Sequence, residues 1–377
     1  MHVLGPGDLH REVLETGLCV GCGACIHLCP YFDTWRGKTA MVFSCDRQKG
    51  RCHAFCPKTE VDLDALSRLA GLGEYTGDPL GAYQEIFAAR AGDAAVRGDF
   101  QDGGTVSALI GYALETGRID AAVLTGKKGL MPEPALVTRA RDVAGYAGSG
   151  YAAAPTLAAL NQGINQGYQK MGVVGTPCQM TAVARMRANP MGDENFSDPV
   201  VLTIGLFCTW ALDARGLMAF MEKRLPGEEI RKIRIPPPPA GILVAETRNH
   251  AVEIALDEIR DLVLQGCGLC PDMTAEWADV SVGAMEQNPG YNTLMVRTEK
   301  GRQFTADAAA AGYLAVWDFP ESGRVQLERA AAAKKRRAFA RAVDTGRVNS
   351  EKIGPAVLRV NARALEKMTA GPGGVHE

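Results

Sequence analysis

No stretch of this sequence approaches the roughly 20 apolar residues needed to span a bilayer. The longest, such as 151–160, are short, alanine-rich and broken by Pro155, so no membrane span is expected. The opening residues show no basic-then-apolar layout, which argues against a secretory signal and predicts a cytoplasmic protein. A dominant sign of charge is lacking too: 41 Lys and Arg stand against 43 Asp and Glu, for a net −2. Such a balance provides no field to gather DNA or RNA, and nucleic-acid binding is not expected. No G-x-G-x-x-G follows a strand pattern and no G-x-x-x-x-G-K-S/T occurs, which argues against an ordinary dinucleotide fold or P-loop. H-E-x-x-H and G-x-S-x-G are also missing, so zinc-protease and hydrolase readings lack their motifs.

Cysteine, by contrast, is plentiful. The chain has eleven in 377 residues, within a composition (46% apolar, 22% charged) ordinary for a folded protein. Disulfides are uncommon in a reducing compartment, and an odd count fits poorly with complete pairing. Metal or redox chemistry is the natural reading. Residues 1–78 are expected to form a small, irregular, cysteine-rich domain ending in a short helix over 61–72. From about 79 the text alternates between strand and helix. Helices are predicted over 105–116, from 156, over 179–188 and over 214–224; strands over 121–125, 171–175 and 200–207. This rhythm predicts an α/β (α+β) core with a mainly parallel sheet over 79–330. Prolines at 236–239 read as a stiff linker, with strands after them at 242–246, 251–256 and 294–298. Residues 331–377 read as a helical C-terminal tail.

Cys19-x2-Cys22-x2-Cys25-x3-Cys29-Pro30 is the bacterial ferredoxin run. Thiolates two residues apart wrap one face of a cubane, and Gly21 and Gly23 permit the tight turns. The second half, Cys45-x6-Cys52-x3-Cys56-Pro57, lacks its middle cysteine and has one residue added. By the crossed ligation pattern, Cys19, Cys22, Cys25 and Cys56 hold one [4Fe–4S] cluster. Cys29, Cys45 and Cys52 remain for a [3Fe–4S] cluster, a [4Fe–4S] cluster with a non-cysteine ligand, or an empty remnant. Asp46 and His53 adjoin them as alternative ligands, although a flanking polar residue is more often solvated.

Cys178 lies where a predicted strand meets a helix, Cys208 follows the apolar strand VVLTIGLF, and Cys267 and Cys270 form a C-x2-C in a glycine loop. Ligands gather beyond the carboxyl ends of strands in open α/β sheets. Four thiolates from three loops can converge on a further cubane. Two plainer readings are buried cysteines acting as small hydrophobes and a zinc or redox C-x2-C. Gln101-Asp102-Gly103-Gly104-Thr105 precedes a helix and can cradle an anion such as a flavin pyrophosphate. Gly148, Ser149, Gly150 and Tyr151 form a second loop of this kind. Lys127, Lys128 and the KKRR segment at 334–337 read as solvated surface.

QDGG before a helix, AGSGY, VVGTPCQ, LTIGLFC, GCGLC and ADVSVG occur in this order. Together they resemble the beta subunits of coenzyme F420-reducing hydrogenases and dehydrogenases, over roughly 82–330, with a ferredoxin-type extension in front. The resemblance implies FAD and a [4Fe–4S] cluster with electrons passing between them. It assigns Cys178, Cys208, Cys267 and Cys270 to the cluster. It places Gln101, Asp102, Gly103, Gly104, Thr105, Gly148, Ser149, Tyr151 and Thr176 near the FAD. Asp279 and Ser281 match a family segment, or mark a turn after a helix. Gly150 departs from the family, which often has lysine there.

The expected function is a flavin and iron–sulfur oxidoreductase. It would pass electrons between a hydride carrier, F420 or a similar one, and a partner redox subunit. Such partners are a hydrogenase, a formate dehydrogenase or a heterodisulfide-reductase-like complex. One alternative is an electron-transfer relay, ferredoxin- or NAD-linked, without its own F420 site. The other is a zinc-bound structural module.

Overall fold

The computed structural model describes residues 3–191, 197–236, 240–350 and 358–369. Of the proline linker expected at 236–239, only Pro236 lies among them.

Its centre is an eight-stranded sheet. In chain order the strands are β1 (Glu85–Ala91), β2 (Ala121–Lys128), β3 (Met131–Val137), β4 (Met171–Gly175), β5 (Val200–Leu206), β6 (Val280–Ala284), β7 (Asn292–Val296) and β8 (Leu314–Asp318). The spatial order is β8-β1-β7-β6-β5-β4-β2-β3. Strands β6, β5, β4 and β2 pair in parallel. Antiparallel β7 turns the direction once and β1 turns it back. Five strands, β1, β2, β4, β5 and β6, therefore point the same way, and the segments following them emerge at one edge.

Side-chain alternation explains the layering. Ala121, Val123, Met171 and Val173 belong to one apolar cluster, while Ala122, Leu124 and Val174 belong to another. On the first face lie α2 (Leu157–Asn165) and α3 (Pro177–Ala188), with Leu157, Leu160, Met180 and Val183 turned to the sheet. On the second lie α1 (Thr105–Glu115) and α5 (Glu299–Ala310), through Leu109, Ile110, Tyr112 and Phe304. A separate three-stranded antiparallel sheet, Ile230–Arg234, Ile242–Thr247 and Ala251–Ala255, packs with α4 (Ala214–Arg224) around Leu217, Met221, Leu243 and Ile254.

The cysteine-rich segment shares its apolar cluster with the sheet: Leu9, Val13, Leu18, Ile26 and Phe55 pack in the same group as Val123 and Met180. Gly23 (φ 83°) shows how close the approach is, since a Cβ there would sit 2.4 Å from Pro155 O. Asn161 of α2 donates to the carbonyls of Ala24 (3.0 Å) and Ile26 (2.7 Å). The helix expected over 61–72 begins as a two-residue strand, Val61–Asp62, and is helical only over Leu63–Leu69. The strand exists because Leu358–Arg359 returns to pair with it in parallel. The boundary expected at 330/331 falls inside a 24-residue helix, α6 (Glu321–Asp344). In ADVSVG, Ala278 and Asp279 form a bend and strand β6 begins at Val280, so Ser281 lies in a strand and outside the turn considered as one reading.

Candidate functional site

Strands β4 and β5 are neighbours running the same way. Cys178, the second residue of α3, and Cys208, two residues past β5, therefore leave the sheet side by side. Cys267 and Cys270 come from the short helical turn Gln265–Leu269 and the residue after it. Their charges interact: Cys178 with Cys270 and Cys267, and Cys208 with Cys267, Cys178 and Cys270. The N-terminal thiols form two further sets, coupled in the same way. Cys22 and Cys25 both interact with Cys19 and Cys56. Cys52 interacts with Cys29 and Cys45. Links also run between sets, from Cys22 to Cys178 and from Cys25 to Cys52. The three sets thus stand in a row, with Cys19, Cys22, Cys25 and Cys56 in the middle. Among the described residues, no three or more His, Cys, Asp or Glu side chains are gathered around the position of a single metal ion.

Burial pushes several of these thiols up: Cys56 to about 11, Cys52 and Cys178 to about 12, and Cys208 also upward. Holding them as thiolates requires a compensating cationic group, because buried charge without a partner is costly. A donor set of buried and half-buried thiols, most of them electrostatic neighbours of one another, fits iron–sulfur ligation, which deprotonates them. The sheet-edge set has cations as well. Lys334 of α6 is 5% exposed and donates to Cys208 O and Asp272 O, both at 2.6 Å. Burial draws its pKa down, but Cys270, Cys208 and Asp272 outweigh that and the net shift is upward. Lys58, 7% exposed, favours the thiolates of Cys178 and Cys267. A small cavity of ≈ 20 Å³ lies against Cys178 and Cys270, with Lys58, Asp272 and Glu276 among its lining.

Lys335 is also buried. It bonds Glu276 Oε1 (2.7 Å), Tyr75 Oη (2.8 Å) and Asp78 O (2.7 Å). The reading of KKRR as a solvated face thus fails for Lys334 and Lys335 and holds for Arg336 and Arg337, which are exposed. Ala330 to Ala333 beside them have no bulk to keep the helix away. Near Cys56, the buried guanidinium of Arg185 donates to Thr59 Oγ1 (2.8 Å) and His53 O (3.3 Å). Of the two polar neighbours of the Cys29, Cys45 and Cys52 set, Asp46 is exposed. His53 takes the Leu4 N–H on Nδ1 at 3.3 Å and turns Nε2 to Glu12 at 3.6 Å.

The glycine loop follows β1 and so reaches the same sheet edge as Cys178 and Cys208. A Cβ on Gly103 would stand 2.9 Å from Ala89 O, and one on Gly104 (φ 73°) 2.3 Å from the Phe100 ring. Only glycine lets the chain turn this tightly into α1. Asn292 Oδ1 accepts the Thr105 N–H at 3.2 Å. Two buried side-chain atoms here, Gln101 Oε1 and Thr105 Oγ1, have no hydrogen-bond partner, as a ligand-binding loop would leave them. Tyr151 holds a left-handed backbone (φ 53°) and its hydroxyl accepts the Ile235 N–H at 3.1 Å. Its phenol is raised by burial, with Asp102 and Ser149 among the neighbouring influences. The two loops expected at the cofactor therefore approach each other. Thr176 turns its hydroxyl to Cys178 Sγ (3.3 Å) and shares a capping box with Gln179.

Lys232, from the small sheet, donates to Asp99 Oδ1 (3.4 Å) and Phe100 O (3.3 Å) and acts electrostatically on Asp102. Sequence reasoning passed over it, as it did Lys58 and Asn292, because single polar residues carry no spacing signal. Lys127 donates to Arg231 O at 3.0 Å and is otherwise exposed, as is Lys128. Asp279 braces the sheet, accepting from Thr203 N and Oγ1 at 2.8 Å. Ser281 accepts from buried Arg297 at 2.6 Å.

Two family models match, both described as coenzyme F420 hydrogenase/dehydrogenase, beta subunit: the one for its N-terminal part over residues 86–161, and the one for its C-terminal part over residues 168–322. A coenzyme F420 hydrogenase subunit beta from Methanothermobacter thermautotrophicus is 31% identical over 69% of this chain and 94% of its own. A coenzyme F420-dependent sulfite reductase from Methanocaldococcus jannaschii is 30% identical over 78% of this chain, which spans 46% of that protein. A chain from the solved F420-reducing [NiFe] hydrogenase complex of Methanosarcina barkeri superposes with a TM-score of 0.64 at 26% identity, over 71% of this chain and 93% of that one. No helix among the described residues is long and apolar enough to cross a membrane. With both halves of its sheet core matched, the chain belongs to the coenzyme F420 hydrogenase/dehydrogenase beta-subunit family.

Proposed function

We propose that this protein is an oxidoreductase subunit that exchanges a hydride with coenzyme F420 at a bound FAD and moves electrons singly through iron–sulfur clusters to a partner redox protein. The observation that carries the reading is the row of three thiol sets. It starts at the sheet edge, where the loop of Gln101, Asp102, Gly103, Gly104 and Thr105 also emerges, and ends on the N-terminal hairpin. A flavin bound at that edge supplies the conversion between a hydride pair and single electrons.

The protein's own part is placement. Gln101 Oε1 and Thr105 Oγ1 are free to meet the cofactor, and the backbone at Gly103 and Gly104 keeps side chains out of its way. Gly148, Ser149 and Tyr151 close the second side. Lys232 supplies positive charge beside Asp102, where Gly150 withholds the lysine that many relatives place in this loop. Cys178, Cys208, Cys267 and Cys270 hold the first cluster, Cys19, Cys22, Cys25 and Cys56 the next, and Cys29, Cys45 and Cys52 the last. The expected domains remain a proposal: 1–78, 79–330 and 331–377, with a shared apolar core between the first two.

The test is anaerobic purification with iron and sulfide counting, acid release of the yellow cofactor, and mixing with reduced F420. About eleven or twelve iron atoms are expected per chain, against about eight if the third set is empty. Reduced F420 bleaches the flavin rapidly and NADH does not. A brown protein that releases no flavin leaves the relay reading in its place, and a colourless protein defeats both.

A further inference from the structure

Four of the large apolar side chains that the chain leaves exposed lie within thirteen residues. They surround the hairpin between Cys29 and Cys45, where Phe32–Trp35 pairs with Lys38–Met41. Trp35 is 72% exposed, Phe43 63%, Val42 48% and Tyr31 37%. The group is ordered. Tyr31 and Phe43 meet edge to face with centroids 6.4 Å apart, and Val42 N–H donates to Tyr31 O at 2.8 Å. The Arg36 guanidinium lies 5.6 Å over the Trp35 ring. Clustered apolar side chains on a surface mark an interaction site more often than scattered ones do.

The rim decides the partner. Arg36, Lys38, Arg47, Lys49 and Arg51 are all exposed, against exposed Asp33 and Asp46. Along residues 31–51 the exposed side chains carry a net three positive charges, on a chain whose net charge is −2. An aromatic centre inside a basic rim suits a fast, short-lived complex with an acidic protein, because the charges steer encounter and a small apolar core fixes the pose. The patch also surrounds Cys29 and Cys45, at the end of the row of thiol sets.

We infer that this face docks an acidic one-electron carrier protein and that a single electron leaves through the Cys29, Cys45 and Cys52 set. The iron–sulfur group there is oxidised by one electron and the carrier reduced by one, with no bond made or broken. This inference rests on the proposed cluster at that set.

The experiment uses the full anaerobic chain, with an acidic plant-type ferredoxin as probe and a basic cytochrome c as control of opposite charge. Calorimetry at low and high salt measures binding, and stopped-flow measures ferredoxin reduction. Ferredoxin binds at low salt and weakens roughly tenfold or more at high salt. The triple variant Lys38→Glu, Arg47→Glu, Lys49→Glu weakens it by a similar factor. Trp35→Ser with Phe43→Ser does so with its iron content and its flavin bleaching by hydride donor unchanged. Equal ferredoxin binding by the charge-reversed and parent proteins overturns the proposal, as does a preference for cytochrome c. A parent dimer that Trp35→Ser dissociates overturns it too, by assigning the face to a second copy. Failure of the cluster reading looks different: ferredoxin binds but receives no electron. When a viologen dye is reduced but ferredoxin does not bind, the docking face falls and the cluster reading stands.

Discussion

The thiol sets at the two ends of the row occupy opposite environments. Cys178, Cys208, Cys267 and Cys270 are fixed by the sheet and α6, with two buried ammonium groups beside them. In the outer set Cys52 is buried, but Cys29 and Cys45 flank a two-stranded hairpin, among exposed aromatic and basic side chains, and among the described residues no buried lysine stands next to them. Buried cations favour the more negative, reduced state of a cluster, and solvent screens such effects at the surface. Under the proposed ligation, the same ligand type would be set for different work by its surroundings: a firmly held electron store inside, a readily reached exit outside.

The largest expected effect strikes the inner end alone. Lys335→Met strands Glu276, which is 5% exposed and whose backbone N–H binds Asp272 Oδ2 at 2.8 Å, beside Cys270. Removing one partner of a buried pair costs about 3–5 kcal/mol; a urea-unfolding loss under about 1 kcal/mol would dissolve the contrast. Next comes the junction between the ends. Gly23→Ala forces a Cβ onto Pro155 O at a positive φ, and a loss of roughly 2 kcal/mol is expected by the same measurement. Parent-like stability would show that the two segments are not in close register. Lys334→Met removes one ammonium from the inner set. The potential of that cluster should fall by about 60 mV, a tenfold change for one electron, in an EPR-monitored titration. The signal of the hairpin set should not move; a shift of both signals alike would show that the effect is not local. Smallest in stability is Cys45→Ser, expected to cost less than about 1 kcal/mol while removing about three or four iron atoms. Loss of all iron from that variant would show the sets to be one folding unit.

The sequence exposed this architecture unevenly. Met171–Gly175 and Ala214–Arg224 were legible to the residue because their apolar patterns are clean. β3 was missed because Pro132 and Pro134 lie within it. It tolerates them because it is an edge strand, with one side unpaired. That the cysteines gather was legible through ferredoxin spacing for the N-terminal ones and through motif order for those at the sheet edge; that they share clusters is proposed. The lysines were not. A run of four cations looks solvated until the fold shows that two of them face carbonyls and a carboxylate. Asn292, Lys58 and Lys232 act through partners far along the chain, and local pattern carries no trace of that.

The parallel pairing of Leu358–Arg359 with Val61–Asp62 has a consequence for biosynthesis. Arg359 lies 3.1 Å from Glu60, and Asn361 donates to Asp64 Oδ1 (2.6 Å) across 297 residues of sequence. Domains generally begin to fold as they leave the ribosome, amino-terminal part first. Here the stretch just after Cys56 lacks its bordering strand until nearly 300 further residues have been made, so this local pairing forms late in synthesis, long after the cysteines around it.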